Sequence, residues 1–312
     1  MIKLGIIGYN KGNGHPYSYS SIFNGFDEKF MKDCPYPSIP EYLKNHDSDI
    51  ERLNSAQVTH IWTQDREIST HIAQASKINN IVNNFEDMIP EVDAIIIARD
   101  DYESHFEIAK FFLDRGVFVF VDKPLTLDLK ELSFLERYLE NGQLMSCSGF
   151  KYCAELDNVR YFYARNSQKI KLINSVVIND WEKYGIHMID AVLSFTTSLP
   201  VSVKAVKLKK TSIYLIQMDD GSLFTLSTVG SSKQTFFIQV IDENVRFDVN
   251  IHDNFRAFKR TLSHFVDMVN NQPVKEGYQS TMISIKTLIA GKKSREDGQE
   301  IFIKDLDMEL EN

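Results

Sequence analysis

The chain has 312 residues, 43% hydrophobic and 25% charged, a balance that excludes a disordered polymer and allows two domains with buried cores. A formal net charge of −8 argues against nucleic acid as the main ligand, and the lysines of 204–210 alternate with Val and Leu as on the solvated face of a strand. Three cysteines without CxxC spacing (Cys34, Cys147, Cys153) support neither a zinc site nor a disulfide scaffold, so no metal is expected. No run of 18 apolar residues occurs and no basic, then apolar, leader opens the chain, so a cytoplasmic protein without membrane contact is expected.

The first half alternates strand and helix. Residues 2–8 form a short apolar run ending in glycine, as a buried strand entering a tight turn does. A helix is expected over 18–26 and a strand over 58–63. A helix over 68–78 follows, with Ile68, Ile72, Ala75 and Ile78 spaced for one face, and then a minimal strand over 80–83. The continuous apolar run 93–98 fits a parallel strand covered on both faces. Helix 102–115 closes at Gly116, strand 117–121 follows, helix 127–141 closes at Gly142, and 144–148 reads as a sixth strand. Parallel crossovers need helices to return the chain, so the rhythm predicts an α/β doubly wound sheet. Ligands of such sheets bind beyond the carboxyl ends of the strands.

The first of those ends carries Gly8-Tyr9-Asn10-Lys11-Gly12-Asn13-Gly14. A GxGxxG turn lets the backbone approach a dinucleotide pyrophosphate at a helix N-terminus. Here Asn10 and Asn13 stand in the second and third glycine places. Gly8, Tyr9, Asn10, Gly12, Asn13 and Gly14 are therefore candidate cofactor contacts, the alternative being a surface turn. A carboxylate for the adenosine ribose belongs at the end of the second strand. Thr63 holds that place, and Asp65 either binds the ribose or caps the next helix. Arg66 equally suits a 2′-phosphate, which leaves NAD and NADP open. The excursion over 27–57, with Cys34-Pro35-Tyr36-Pro37 and an amphipathic 41–53 segment, reads as a lid, an oligomer contact or a plain insertion.

From residue 170 the pattern changes to serial strands over 170–178, 203–208, 212–218, 222–229, 235–240 and 245–249, with a hairpin turn at Asp219-Asp220-Gly221. Serial strands predict an antiparallel or mixed open sheet, an α+β domain. Two helices, 255–270 and 281–291, cover one end or return to the first domain. Between the strands, a helix from about Lys183 places Lys183, His187 and Asp190 along one face. That is a proton-transfer cluster or an exposed polar face.

Three features in order resemble the glucose–fructose oxidoreductase and inositol dehydrogenase family (Gfo/Idh/MocA). They are the glycine turn at Gly8, Asp122-Lys123-Pro124 in place of a Glu-Lys-Pro signature, and Gly185-Ile186-His187-Met188-Ile189-Asp190 as a GxHxxD helix. His105 and the stretch 294–298 agree as well. The resemblance implies a Rossmann domain over 1–125, with helix and strand to about 150 bridging, and a substrate and oligomerisation domain over 151–312. It implies NAD or NADP as cofactor, a carbohydrate substrate (sugar, cyclitol or nucleotide-sugar) held over the nicotinamide, and a homo-oligomer, dimer or tetramer. Lys123 would orient substrate or relay a proton and His187 would be the general base or acid. Asp122 and Pro124 would border the cofactor, and Asp190 and Lys151 would touch substrate.

Two departures follow from the same comparison. Many relatives carry Asp four residues before the helix histidine, where this chain has Lys183, so Lys183 or Tyr184 would share the proton-transfer role. Arg99-Asp100-Asp101 replaces the usual threonine-proline after the fourth strand, putting Arg99 and Asp100 beside the cofactor, where Arg99 would meet an anionic substrate group. A glycosidase using bound NAD and a non-catalytic dinucleotide or sugar sensor are the alternatives on the same scaffold.

Overall fold

The structure, a computed structural model, describes residues 1–46, 53–167, 169–270 and 277–309. They group into two compact units, one of 1–125, 135–146 and 258–277, the other of 126–134, 147–257 and 278–312.

In the first unit the chain runs β1 (Ile2–Ile7), α1 (His15–Asn24), α2 (Glu28–Met31), α3 (Ser38–Asn45), β2 (Ala56–Trp62), α4 (Arg66–Ala75), β3 (Asn80–Ile81), β4 (Ala94–Ile97), α5 (His105–Leu113), β5 (Phe118–Val121), the second half of α6 (Leu129–Glu140) and β6 (Leu144–Met145). The sheet order is β3-β2-β1-β4-β5-β6, parallel throughout. This doubly wound order reverses between β1 and β4, where such sheets bind ligands. β4 is buried along its whole length, as its unbroken apolar run requires.

Three local expectations shift. The first helix starts at His15 rather than residue 18, because Pro16 suits a first turn whose N–H groups have no partner within the helix. The helix expected over 102–115 divides into a 3-10 turn, Tyr102–Ser104, and α5. The sixth strand stops at Met145, and Ser148 instead caps a 3-10 turn, Gly149–Tyr152, by accepting from the Phe150 N–H at 3.1 Å.

The excursion is built into the unit. Met31, Ile39 and Leu43 are buried, and the Tyr42 hydroxyl donates to Ser18 Oγ on α1 at 2.5 Å. The Asp27 N–H donates to the Ala75 carbonyl at the end of α4 at 2.9 Å. The amphipathic segment expected over 41–53 coincides with α3 up to residue 45; residues 47–52 lie outside the described ones.

The second unit contains α7 (Asp157–Tyr163), β7 (Ile170–Val177), α8 (Trp181–Leu193), β8 (Pro200–Lys207), β9 (Ser212–Met218), β10 (Leu223–Thr228), β11 (Phe236–Asp242), β12 (Arg246–Asn250), the start of α9 (Asn254–Val269), α10 (Gln279–Asp297), β13 (Ile301–Phe302) and α11 (Ile303–Met308). Its sheet order is β12-β11-β7-β10-β9-β8-β13. β7 and β10 pair parallel and every other neighbour antiparallel, a mixed sheet. α8 packs on α10, and α10 on β8. At the centre lies Trp181, fully buried, stacked on Tyr214 with ring centroids 3.8 Å apart, its indole N–H donating to the Leu288 carbonyl at 2.7 Å.

Phe258–Gly277 groups with the first unit, so of the two readings of helix 255–270 it is the return to the first domain that is seen. Phe258 lies 5.3 Å from Tyr19 and Phe265 5.7 Å from Phe120, centroid to centroid, so the apolar face of α9 finds its partners there. α10 also outruns the expected 281–291, since Gly291 is not a stop. A Cβ at Gly291 would come within 2.2 Å of the Trp181 ring, and the helix ends at Gly298 in the left-handed conformation. Alanine normally gains up to about 1 kcal/mol over glycine inside a helix, but overpacking a fixed core costs about 1–3 kcal/mol. Gly291→Ala should therefore lower Tm by several degrees; a thermal melt showing stabilisation would contradict this packing.

Candidate functional site

The sequence-selected residues form two clusters, one in each unit. The first lies beyond the carboxyl ends of β1, β4 and β5. Asp122, which follows β5, is fully buried. Its carboxylate takes hydrogen bonds from the Asn13 amide at 2.9 Å, from the Lys123 N–H at 2.9 Å and, at 3.4 Å, from the Tyr19 hydroxyl. It also holds the His15 ring at Nδ1. Burial alone would raise this carboxyl, but the charge and hydrogen bond of His15, the Lys123 ammonium and the Asn13 amide outweigh it and hold it far below the usual carboxylate range. Asn13 Oδ1 in turn accepts from the His15 N–H at 2.7 Å at the start of α1.

Asn10 plays the matching part at the end of β4. Its amide donates to the Asp100 carboxylate, and its oxygen accepts the Asp100 N–H at 3.0 Å. The Lys123 ammonium, buried, lies 3.9 Å from Asp100. Both asparagines thus fasten the glycine turn to carboxylates at strand ends. Arg99 forks onto Asp101 at 2.9 and 2.5 Å and reaches Gln64 at 3.3 Å, so part of its charge is matched within the unit. His105 ties the ends of β4 and β5, with Nε2 3.0 Å from the Arg99 carbonyl and Nδ1 3.0 Å from that of Pro124; burial pushes it below its ordinary value. The Lys123–Pro124 bond is cis.

At the end of β2, Thr63 is buried and bonded to Ser69, while Asp65 caps α4 by accepting from the Glu67 and Ile68 N–H groups at 2.8 and 3.3 Å. Gly12 has a φ of +101° and no heavy atom within 4 Å of where a Cβ would stand, so a ligand can approach the backbone there. Gly14 is filled from the excursion instead, with Ile39 and Tyr36 at 2.5 and 2.7 Å from a Cβ. The open turn at Gly12 fits the approach of a dinucleotide phosphate to the backbone. Among the described residues no group of three or more His, Cys, Asp or Glu side chains is arranged to hold a metal, and no described helix is long and apolar enough to cross a membrane.

The second cluster sits on α8. Asp180 caps the helix by accepting the Lys183 N–H at 2.9 Å, so α8 begins two residues before the expected start. An exposed polar face is ruled out: His187 and Asp190 are buried and Lys183 and Tyr184 partly so. His187 lies among aromatic rings, with centroids 4.9 Å from Phe150, 5.4 Å from Tyr184 and 6.0 Å from Phe236. Its Nδ1 is 2.6 Å from Ser148 Oγ. Asp190 accepts the Ser148 N–H and the Ser284 hydroxyl, each at 2.6 Å. Lys151, on the turn capped by Ser148, donates to Ser280 at 3.1 Å. Ser148 is the member that sequence reading missed; its only signal was a small polar residue ending the short stretch Leu144-Met145-Ser146-Cys147.

Asp122→Asn keeps the shape and removes the charge. Breaking a buried pair costs about 3 kcal/mol or more. The native carboxyl titrates below the ~3.9 of an unfolded aspartate, so its contribution is full above that value and fades as pH falls toward the native one. The Tm gap between parent and variant should narrow from pH 7 to pH 3; a gap independent of pH would remove the charged carboxylate from this role.

Residues 40–150 match the family described as GFO_IDH_MocA, oxidoreductase family, NAD-binding Rossmann fold, so the match begins within α3, after the glycine turn. No curated protein sequence matches the chain. Among solved structures, a scyllo-inositol dehydrogenase from Lactobacillus casei with bound NAD(H) and scyllo-inositol shares the fold at a TM-score of 0.72 and 17% identity, over 97% of this chain and 99% of its own. A myo-inositol 2-dehydrogenase from Lactobacillus plantarum matches at 0.75 and 15%, over 96% and 99%. A myo-inositol dehydrogenase from Lactobacillus casei in complex with NAD(H) and myo-inositol matches at 0.74 and 14%, over 97% and 96%. Residues 40–150 thus carry the match to the Gfo/Idh/MocA oxidoreductase family, and the chain shares the fold of these inositol dehydrogenases along nearly its whole length.

Proposed function

We propose that the chain transfers a hydride between a nicotinamide dinucleotide and a hydroxyl or keto carbon of a polyhydroxylated ring, a sugar or cyclitol. The observation that carries the reading is Lys123, a buried lysine at the carboxyl end of β5, whose neighbour Asp122 is locked to the glycine turn. A lysine is buried at a strand end only where other groups match its charge, and this is the edge of the sheet at which such folds bind cofactors. The inositol bound by two similar structures supports a cyclitol among the substrates to try first.

When bound, the dinucleotide supplies the hydride acceptor or donor. The protein has to manage the hydroxyl proton and the charge growing on its oxygen. We assign charge stabilisation to the Lys123 ammonium and proton exchange to His187. Ser148 holds His187 by Nδ1, which leaves Nε2 as the nitrogen that exchanges the proton, and takes the place of the carboxylate partner that the family resemblance would put at Lys183. To Lys183 and Tyr184, one turn before His187, we assign a share in that proton exchange. Asp190, with both oxygens engaged by Ser148 and Ser284, orients this cluster.

The test is a screen of inositols, sugars and nucleotide-sugars with NAD and NADP, followed by absorbance at 340 nm. Lys123→Ala and His187→Ala should each lower kcat/KM about a hundredfold or more, the scale of general acid–base catalysis. Cofactor binding without turnover of any substrate would favour a sensor, and glycoside cleavage without net reduction the glycosidase. Ser148→Ala should lower kcat about tenfold with KM little changed and displace one limb of the pH profile, with rescue by Ser148→Thr. An unaltered pH profile would leave Ser148 a purely structural cap.

A further inference from the structure

A dinucleotide fold meets the pyrophosphate with backbone N–H groups, and each glycine lost from the turn takes away close approach. In this chain the two replacing asparagines turn to Asp100 and Asp122, and the guanidinium of Arg99 is held by Asp101. Of the polar side chains of the turn, that leaves Tyr9 and the exposed Lys11. The excursion brings in another set. The ring of Tyr36 rests on Gly14, and its phenol accepts the Gly12 N–H at 3.2 Å and donates to the Tyr9 phenol at 2.9 Å. Tyr9 is fixed from the other side by Gln64, whose oxygen accepts the Tyr9 N–H at 3.0 Å and whose amide donates to the Tyr9 carbonyl.

Each donor in such a series polarises the next. The series runs outward from Gly12 through Tyr36 and terminates on the Tyr9 O–H, just past the end of β1. Both phenols are only partly buried, and the outer side of Gly12 is open. Tyr36 therefore does not cover the turn; it extends it. The family match begins at residue 40, so both tyrosines fall in the stretch preceding it.

We infer that Tyr9 and Tyr36 form a hydroxyl relay that recognises the diphosphate of the dinucleotide, with the Tyr9 O–H as its terminal donor and Tyr36 as the residue that positions and polarises it. This rests on the dinucleotide reading above. Neutral donors suit the place: Asp100 and Asp122 already engage Lys123, and a hydroxyl can bond a phosphate oxygen without a further buried charge.

The experiment measures binding by the full chain, with NADH or NADPH followed by fluorescence, and ADP-ribose and adenosine by calorimetry. Tyr9→Phe and Tyr36→Phe should each weaken binding of the dinucleotide and of ADP-ribose about tenfold, the scale of a hydrogen bond to a charged group. Adenosine, which lacks the diphosphate, should bind the variants as it binds the parent, and Tm should stay within about two degrees, the size of a surface substitution. Because the two hydroxyls act in series, the double variant should lose much less than the product of the single losses. Unchanged ADP-ribose affinity in Tyr9→Phe, tighter binding in Tyr36→Phe (a plug rather than a donor), or an equal loss for adenosine would each overturn the relay. A parent chain that binds neither dinucleotide nor ADP-ribose would remove the dinucleotide reading itself, an outcome distinct from a binding parent with unaffected variants.

Discussion

A carboxylate taken out of water must be met by charge and hydrogen bonds, or it loses its proton-free form. Asp122 is fully buried and meets that demand through Asn13, His15 and Lys123. Satisfying one carboxylate therefore draws together the end of β5, the glycine turn and the first residue of α1. The placement of the backbone carrying Lys123 follows from this, since its own N–H is one of the donors. The asparagines that make the turn look irregular are explained by the same demand: a glycine has no side-chain amide to offer Asp122 or Asp100.

The second unit uses a buried carboxylate in a similar way. Asp190 joins the turn before residue 149 to α10 by accepting from Ser148 and Ser284. Once Ser148 is fixed, its hydroxyl holds one ring nitrogen of His187, and Phe150, Tyr184 and Phe236 surround the imidazole. A partner of His187 thus comes from outside α8, 39 residues earlier in the chain. In both units an acid that could have been read as a reactive group organises the residue beside it.

Much of the architecture was legible because it is written in local periodicity. Apolar runs such as 93–98 and glycines after helices mark a parallel strand–helix alternation whatever the rest of the chain does. Asp122-Lys123-Pro124 and the Gly185 to Asp190 helix were legible as spaced residue types, and Lys123 and His187 both lie where ordered polar contacts converge. Local reading misplaced what depends on packing. Gly291 looked like a helix stop but leaves room for Trp181. Whether helix 255–270 covered one end of the second sheet or returned to the first domain was left open, and Phe258 and Phe265 meet Tyr19 and Phe120.

The sequence by itself determined the two kinds of sheet, the order of their elements and the residue types available for proton transfer, because these follow from spacing along the chain. Only the tertiary structure decided which groups those residues face. Ser148 meets His187, Tyr36 meets Gly12, and Asp122 meets His15 across long separations in sequence. No period or motif encodes such meetings: they arise when buried polar groups must find partners among whichever loops the packed cores bring within reach.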